Sequence, residues 1–430
     1  MTSEWPTLTL REAGITLIDC DHRTPPPVDA GYPYVAIPQL RNGRIELSGV
    51  RRITPEHFAE WTRKARPAAN DVVLSRRCNP GETAFVHPDL NFALGQNLVL
   101  LRADGKRVYP PFLRWLVRGP EWWEQIGKNL NVGAVFDSLK CADVPNFELH
   151  TPPLADQRAI AHILGTLDDK IDLNRRMNQT LEAMARALFK SWFVDFDPVR
   201  AKAKGRDPGL PKHIADLFPD SFEDSELGEI PKGWTVGTLG DVAEHPRRGV
   251  QPDEIEPTTP YIALEHMPRR CIALSDWGAA DGLESNKFEF KRGEILFGKL
   301  RPYFHKVGVA PVNGVCSTDI VVVAPRQRFW FGYVLGHISS DAFVEQTNAG
   351  STGTKMPRTS WAEMARYPVV IPSERAAMAL TSQIRFAVDK MIGSIHQSRT
   401  LAILRDTLLP QLISGDLRVK ESEPFLESTA

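Results

Sequence analysis

Ile160-Ala161-His162-Ile163-Leu164-Gly165-Thr166-Leu167-Asp168-Asp169-Lys170-Ile171 opens a stretch whose apolar residues recur in alternating steps of four and three. The series runs Ile160, Leu164, Leu167, Ile171 and, further on, Leu181, Ala185, Leu188 and Trp192. That is the seam of a coiled coil, broken only by Asn174 and Asn178. A second stretch carries the same seam: Leu380, Ile384, Ala387, Met391, Ser394, Ser398, Leu401, Arg405, Leu408, Leu412. Pro152, Asp169, Lys170, Leu181, Leu188 and Trp192 align with Pro372, Asp389, Lys390, Leu401, Leu408 and Leu412 at a constant offset of 220, and the polar breaks fall at matching positions.

The chain is therefore written twice. Halves related by an in-line twofold place their helices antiparallel, so residues whose numbers sum to about 572 should face each other. Ile160 then meets Leu412, Asn174 meets Ser398, and Asn178 meets Ser394, the polar pairs fixing register. Arg405 falls opposite Leu167, where it should weaken the packing or snorkel its stem to water. His162 lies one residue off the seam and reads as a flanking position. About 33 helical residues span roughly 50 Å at 1.5 Å per residue, long enough for a spacer.

Working outward, the globular stretches correspond more loosely. Trp5 and Leu10 precede Trp234 and Leu239 by 229, Tyr34-Val35-Ala36-Ile37 precedes Tyr261-Ile262-Ala263-Leu264 by 227, and Val72-Val73-Leu74 precedes Ile295-Leu296-Phe297 by 223. Strand-like runs bounded by turn residues recur in both, including Asn97 to Leu101 and Asp319 to Val323. An amphipathic helix should follow in each, 111–126 and 329–346, with Trp122 and Trp123 packing the core. A polar Gly/Asn loop comes next, 127–133 and 348–355. The fold class is α+β: two repeated domains joined by two long antiparallel coiled-coil helices. Residues 196–230, rich in Pro, Gly and charge, read as an extended connector.

Composition narrows the function classes. With 430 residues the chain can hold two or three domains with full cores. Net charge is −1; residues 1–150 carry 18 Lys+Arg against 17 Asp+Glu, and 231–372 carry 16 against 15. Phosphate binding must then come from side chains clustered on one face. The five cysteines (Cys20, Cys78, Cys141, Cys271, Cys316) form no C-x-x-C pair and read as buried reduced thiols, without a disulfide framework or metal site. No signal peptide or membrane span is apparent, so a cytoplasmic protein with no membrane partner is expected.

Pro152-Pro153-Leu154-Ala155-Asp156-Gln157-Arg158, running into Leu167-Asp168-Asp169-Lys170-Ile171-Asp172, resembles the central conserved region of the specificity subunits of type I restriction-modification enzymes. The runs from Ala185 to Phe196 and from Leu227 to Trp234 are also similar to that family, and the likeness covers essentially the whole chain. It implies a first target-recognition domain over 1–151, a central conserved spacer helix over 152–195, and a connector over 196–230. A second recognition domain would span 231–372, with a C-terminal conserved spacer helix over 373–416 and a tail over 417–430. It further implies a bipartite double-stranded DNA target, two docked methyltransferase subunits, motor-nuclease restriction subunits reached through them, and no cofactor or chemistry in the chain itself. The residues agree. Tyr109-Pro110-Pro111-Phe112, the nearest string to an amino-methyltransferase motif, begins with a phenol that cannot accept from the target amino group, and no P-loop sequence is present.

Candidate DNA contacts lie on loops of the two globules, because phosphate contacts give affinity while Arg, Asn and Gln at base edges give sequence. In the first half they are Arg51, Arg52, Arg76, Arg77, Asn129, Asn131 and Lys140. In the second they are Arg247, Arg248, Lys299, Arg301, Lys355 and Arg358, with Arg76 and Lys299 the matched pair for phosphate positioning. Two other readings compete. A protein-binding scaffold would lack salt-dependent duplex binding, and a stand-alone DNA-modifying enzyme would methylate without partners.

Overall fold

The computed structural model describes residues 5–133, 137–351, 353 and 356–419. They form two compact units, one from residues 1–169 with 401–430, the other from 170–400.

In the first unit, strand Thr7–Thr9 pairs with Glu148–His150. An antiparallel sheet of four strands follows in the order Ile15–Asp19, Leu98–Ala103, Val72–Ser75, Thr83–Phe85. Both of its faces are covered: Val72, Leu74, Val99 and Leu101 join one core, Val73, Leu98 and Leu100 another. Burial on both faces explains why these strands read as continuous apolar runs and not as alternations. In a separate sheet, Tyr32–Val35 pairs in parallel with Ala93–Leu94.

The second unit repeats this plan. Thr235–Thr238 pairs with Pro368–Ile371, and the four-stranded order is Ala243–Glu244, Ile320–Pro325, Ile295–Gly298, Val307–Val309. The parallel pairing recurs too, Tyr261 opposite Val315 as Tyr34 is opposite Ala93.

Four expectations need correction. The connector is folded: helix Asp197–Ala203 and the hairpin Phe222–Ser225/Gly228–Pro231 occupy it, and Phe196, Val199 and Phe218 are buried with Trp192, Phe193 and Trp234. Each amphipathic helix is broken in two. In the first half Leu113–Leu116 and Pro120–Asn129 flank Gly119-Pro120, whose proline has no N–H to continue a helix. In the second half Phe331–Ile338 and Asp341–Ala349 meet at Ser340, whose hydroxyl caps Phe343 N. Finally, of the adjacent tryptophans only Trp122 is core; Trp123 is 45% exposed. The cysteines are all free, but Cys78 is exposed and Cys141 and Cys271 are only half-buried.

The seam residues lie on two continuous helices, Leu154–Phe193 and Glu374–Ser414. In the first unit Ile160 and Leu164 share a core with Leu409, Leu412 and Ile413. In the second, Asn174 Nδ2 donates to Ser398 Oγ (3.1 Å), Gln397 Oε1 (2.9 Å) and Ser394 O (3.4 Å). The Asn178–Ser394 bond does not form as expected. Ser394 Oγ donates back to Lys390 O of its own helix, leaving Asn178 Oδ1 buried without a partner. Asn174→Ala should therefore lower stability by about 1–3 kcal/mol, whereas Asn178→Leu, which removes an unsatisfied acceptor, should be neutral or stabilising. Urea midpoints decide, and equal losses for both would refute the assignment.

Arg405 does not snorkel. Its Nη1 donates to Asp168 Oδ1 at 2.5 Å, both residues are buried, and Arg44 and Arg114 stand 3.6 and 3.9 Å from the same carboxylate. Asp168 follows Leu167, the residue expected opposite Arg405, by one position. The positions related to Arg405 and Asp168 by the 220-residue repeat are Ala185 and Val388, both buried in the core of the second unit. His162 is exposed, as a flanking position should be.

Candidate nucleic-acid interface

Strand Val72–Ser75 ends in Arg76, Arg77 and Cys78, and the segment around Ser138 returns beside it. Arg76 N donates to Asn97 O (2.9 Å), Leu139 N donates to Arg76 O (2.9 Å), and Arg77 is bridged to Ser138. In the second half strand Ile295–Gly298 ends in Lys299, Leu300 and Arg301. Lys299 N donates to Asp319 O (2.9 Å), Thr359 N donates to Lys299 O (3.1 Å), and Leu300 is bridged to Arg358. Arg76 and Lys299 thus occupy the same place in the backbone of the two halves.

The candidate side chains then divide by whether they are already engaged. Arg248 forms an ion pair with Glu294, with Nη1 to Oε2 at 3.0 Å, and Arg358 lies 3.4 Å from Asp319. Arg51 Nη1 donates to Pro25 O and Arg52 Nη1 to Gly31 O. Asn129 Nδ2 bonds Gln125 O, and Asn131 Nδ2 bonds Ser138 O and Asn129 O, so both amides hold the loop itself. Lys355 lies outside the described residues. Among the described residues no acidic partner is found for Arg76, Arg77, Lys140, Arg247, Lys299 or Arg301, three in each half. The partners that engage the others were hidden from the sequence by distance along the chain, Glu294 lying 46 residues from Arg248.

The field beside the second junction is basic. Burial lowers the His245 pKa; its hydrogen bond to Val322 O pulls the other way, and Arg247, Lys299 and Arg248 each add a smaller push downward. Two aromatics were missed as surface features. Trp123 packs over the turn at Gly81, where an added Cβ would sit 3.0 Å from its ring, and Tyr303, two residues past Arg301, is half exposed. The run Arg301-Pro302-Tyr303 was the available signal for the latter.

Asp19, Cys20 and His22 form a grouping with metal-ligand types. Cys20 Sγ, however, donates to Gly95 O, and burial pushes its thiol up to about 11, away from the thiolate a metal requires. Among the described residues, no helix is long and apolar enough to cross a membrane.

Residues 28–183 match the family model of the type I restriction modification DNA specificity domain. The MjaIX specificity subunit of Methanocaldococcus jannaschii is 25% identical over 91% of this chain and 85% of its own length. The HindI specificity subunit of Haemophilus influenzae is 26% identical over 81% and 86%. Among solved structures, the type I restriction-modification S subunit from M. genitalium superposes with a TM-score of 0.54 at 15% identity, covering 95% of this chain and 96% of that one. That last likeness bears on the fold.

Proposed function

Since the chain belongs to the specificity subunits of type I restriction-modification systems, we propose that residues 1–151 and 231–372 each read one half of a split duplex sequence. Specificity subunits bind DNA and assemble into the type I complex as its non-catalytic recognition component. The observation that carries the proposal is the matched strand-end junction, bearing in both halves basic residues for which no acidic partner is found among the described residues. Phosphate contacts by Arg76 and Lys299 would fix each domain on the duplex, and neighbouring side chains would reach base edges. The paired helices would dock the methyltransferase, two copies per chain because the halves present equivalent helix faces. Motor-nuclease subunits would join through them.

Modified-base sequencing of DNA methylated by the chain with its methyltransferase partner should return a bipartite site. The chain alone should methylate nothing. The gap between half-sites should follow helix length. Seven residues inserted after Ile171 and seven after Met391 add about 10 Å to each helix. At about 3.4 Å per base pair, the ceiling on the change is about three base pairs. A folded, active variant that keeps its original spacing would rule the helices out as the ruler.

A further inference from the structure

The two strand-end junctions share a backbone and differ in side chains. Beyond the matched bonds of Arg76 and Lys299, the residues two places on, Cys78 and Arg301, are both left-handed, with φ of 65° and 50°. Their separation is 223, the same as that of Arg76 and Lys299. A left-handed conformation is unfavourable for any residue with a Cβ and free for glycine. Both halves nonetheless carry a side chain there. Cys78 is exposed. Arg301 is held by Arg301 N donating to Pro357 O at 2.7 Å, and its Nε is buried without a hydrogen-bond partner. The half-exposed Tyr303 lies two residues on.

We propose that Cys78 and Arg301 are equivalent specificity-determining positions: one backbone turn sets the same depth of approach in each half, and the side chain on it sets the base. Arg301 then reads a guanine in the second half-target, its guanidinium fork matching the O6 and N7 acceptors. Cys78, short and a weak donor, cannot make that fork, and the first half-target carries a different base at the corresponding place. Arg76 and Lys299, basic in both halves, supply the phosphate contact that is independent of sequence. The proposal rests on the DNA-recognition reading above.

The test uses the full chain assembled with its methyltransferase partner, after the wild-type target has been read by modified-base sequencing. Arg301→Lys keeps the charge and loses the fork. It should retain the salt dependence of binding, yet lose discrimination at a single guanine of the second half-site by roughly 5- to 150-fold, with the first half-site intact. Cys78→Arg should change the preference at one position of the first half-site only. Alkylation of Cys78 in the assembled complex should be slowed by a duplex carrying the target and unaffected by one lacking the first half-site. Unchanged single-base preference in both variants, or equal Cys78 labelling with and without target in an actively methylating complex, overturns the proposal. If the wild-type complex methylates no bipartite site, it is the underlying recognition reading that fails.

Discussion

Arg405→Leu is expected to destabilise the unit built from residues 1–169 and 401–430 by about 3–5 kcal/mol, although it restores an apolar residue to the seam. Asp168 is only 5% exposed, and Arg405 supplies its shortest contact, at 2.5 Å. Removing the arginine strands a buried carboxylate, and that penalty exceeds the gain from an added aliphatic contact. Arg44 and Arg114, at 3.6 and 3.9 Å, hold the loss toward the lower end of the range. Adding Asp168→Asn should recover part of it, because the stranded carboxylate is gone, although Arg44 and Arg114 then lose this acidic neighbour. Chemical unfolding of the two single variants and the double variant gives the coupling directly. Wild-type stability for Arg405→Leu would mean that the pair contributes nothing.

Acid should weaken the second unit through His337. Its ring is buried, edge-on to Phe189 and Tyr333 with centroids 4.8 and 4.5 Å away, and its Nε2 has no hydrogen-bond partner among the described residues. Burial drives its pKa down to about 3. The ordinary value is about 6.5, so the unfolded chain binds a proton that the folded chain refuses. Stability is complete above about pH 6.5 and falls as pH drops toward 3. Between pH 7 and pH 5 the loss from this residue alone is about 2 kcal/mol. His245 and His305, also shifted down by burial, act in the same direction, so the diagnostic quantity is a difference between proteins. His337→Phe should match the wild type near pH 7 and lose about 2 kcal/mol less on going to pH 5. Parallel pH profiles for the two proteins would show that the ring is not held neutral.

The helix pair was legible because its information is periodic: a seam of 3.5 residues and a constant offset of 220 placed Asn174 against Ser398 with no knowledge of the sheets. Strand equivalence was legible for a similar reason, since the doubly buried sheets leave matching apolar runs at Val72 and Ile295. What stayed hidden depended on contacts between distant parts of the chain. The connector looked extended because its anchors, Phe196, Val199 and Phe218, are scattered among Pro, Gly and charge, and their partners Trp192 and Trp234 lie outside it. The helix breaks at Gly119-Pro120 and Ser339-Ser340 carried ordinary stop and cap signals that the apolar periodicity outweighed. Within the candidate interface, loop position identified the basic residues, but only the fold separates Arg248, held by Glu294, from Arg301, which has no acidic partner among the described residues.

A chain that repeats itself can also associate wrongly, two copies of the same half taking the places meant for two different ones. The Asp168–Arg405 pair makes that error costly. Were two first halves to join through their long helices, repeat equivalence would set Asp168 opposite Ala185. Two second halves would set Arg405 opposite Val388. Either mismatch loses that pair at both ends of a symmetric dimer, leaving Asp168 only the longer contacts of Arg44 and Arg114 and Arg405 only its neighbour Asp406, while the intended intramolecular partners neutralise one another. A contact buried in the seam thereby favours the pairing of two unlike helices within one chain over the pairing of two like ones.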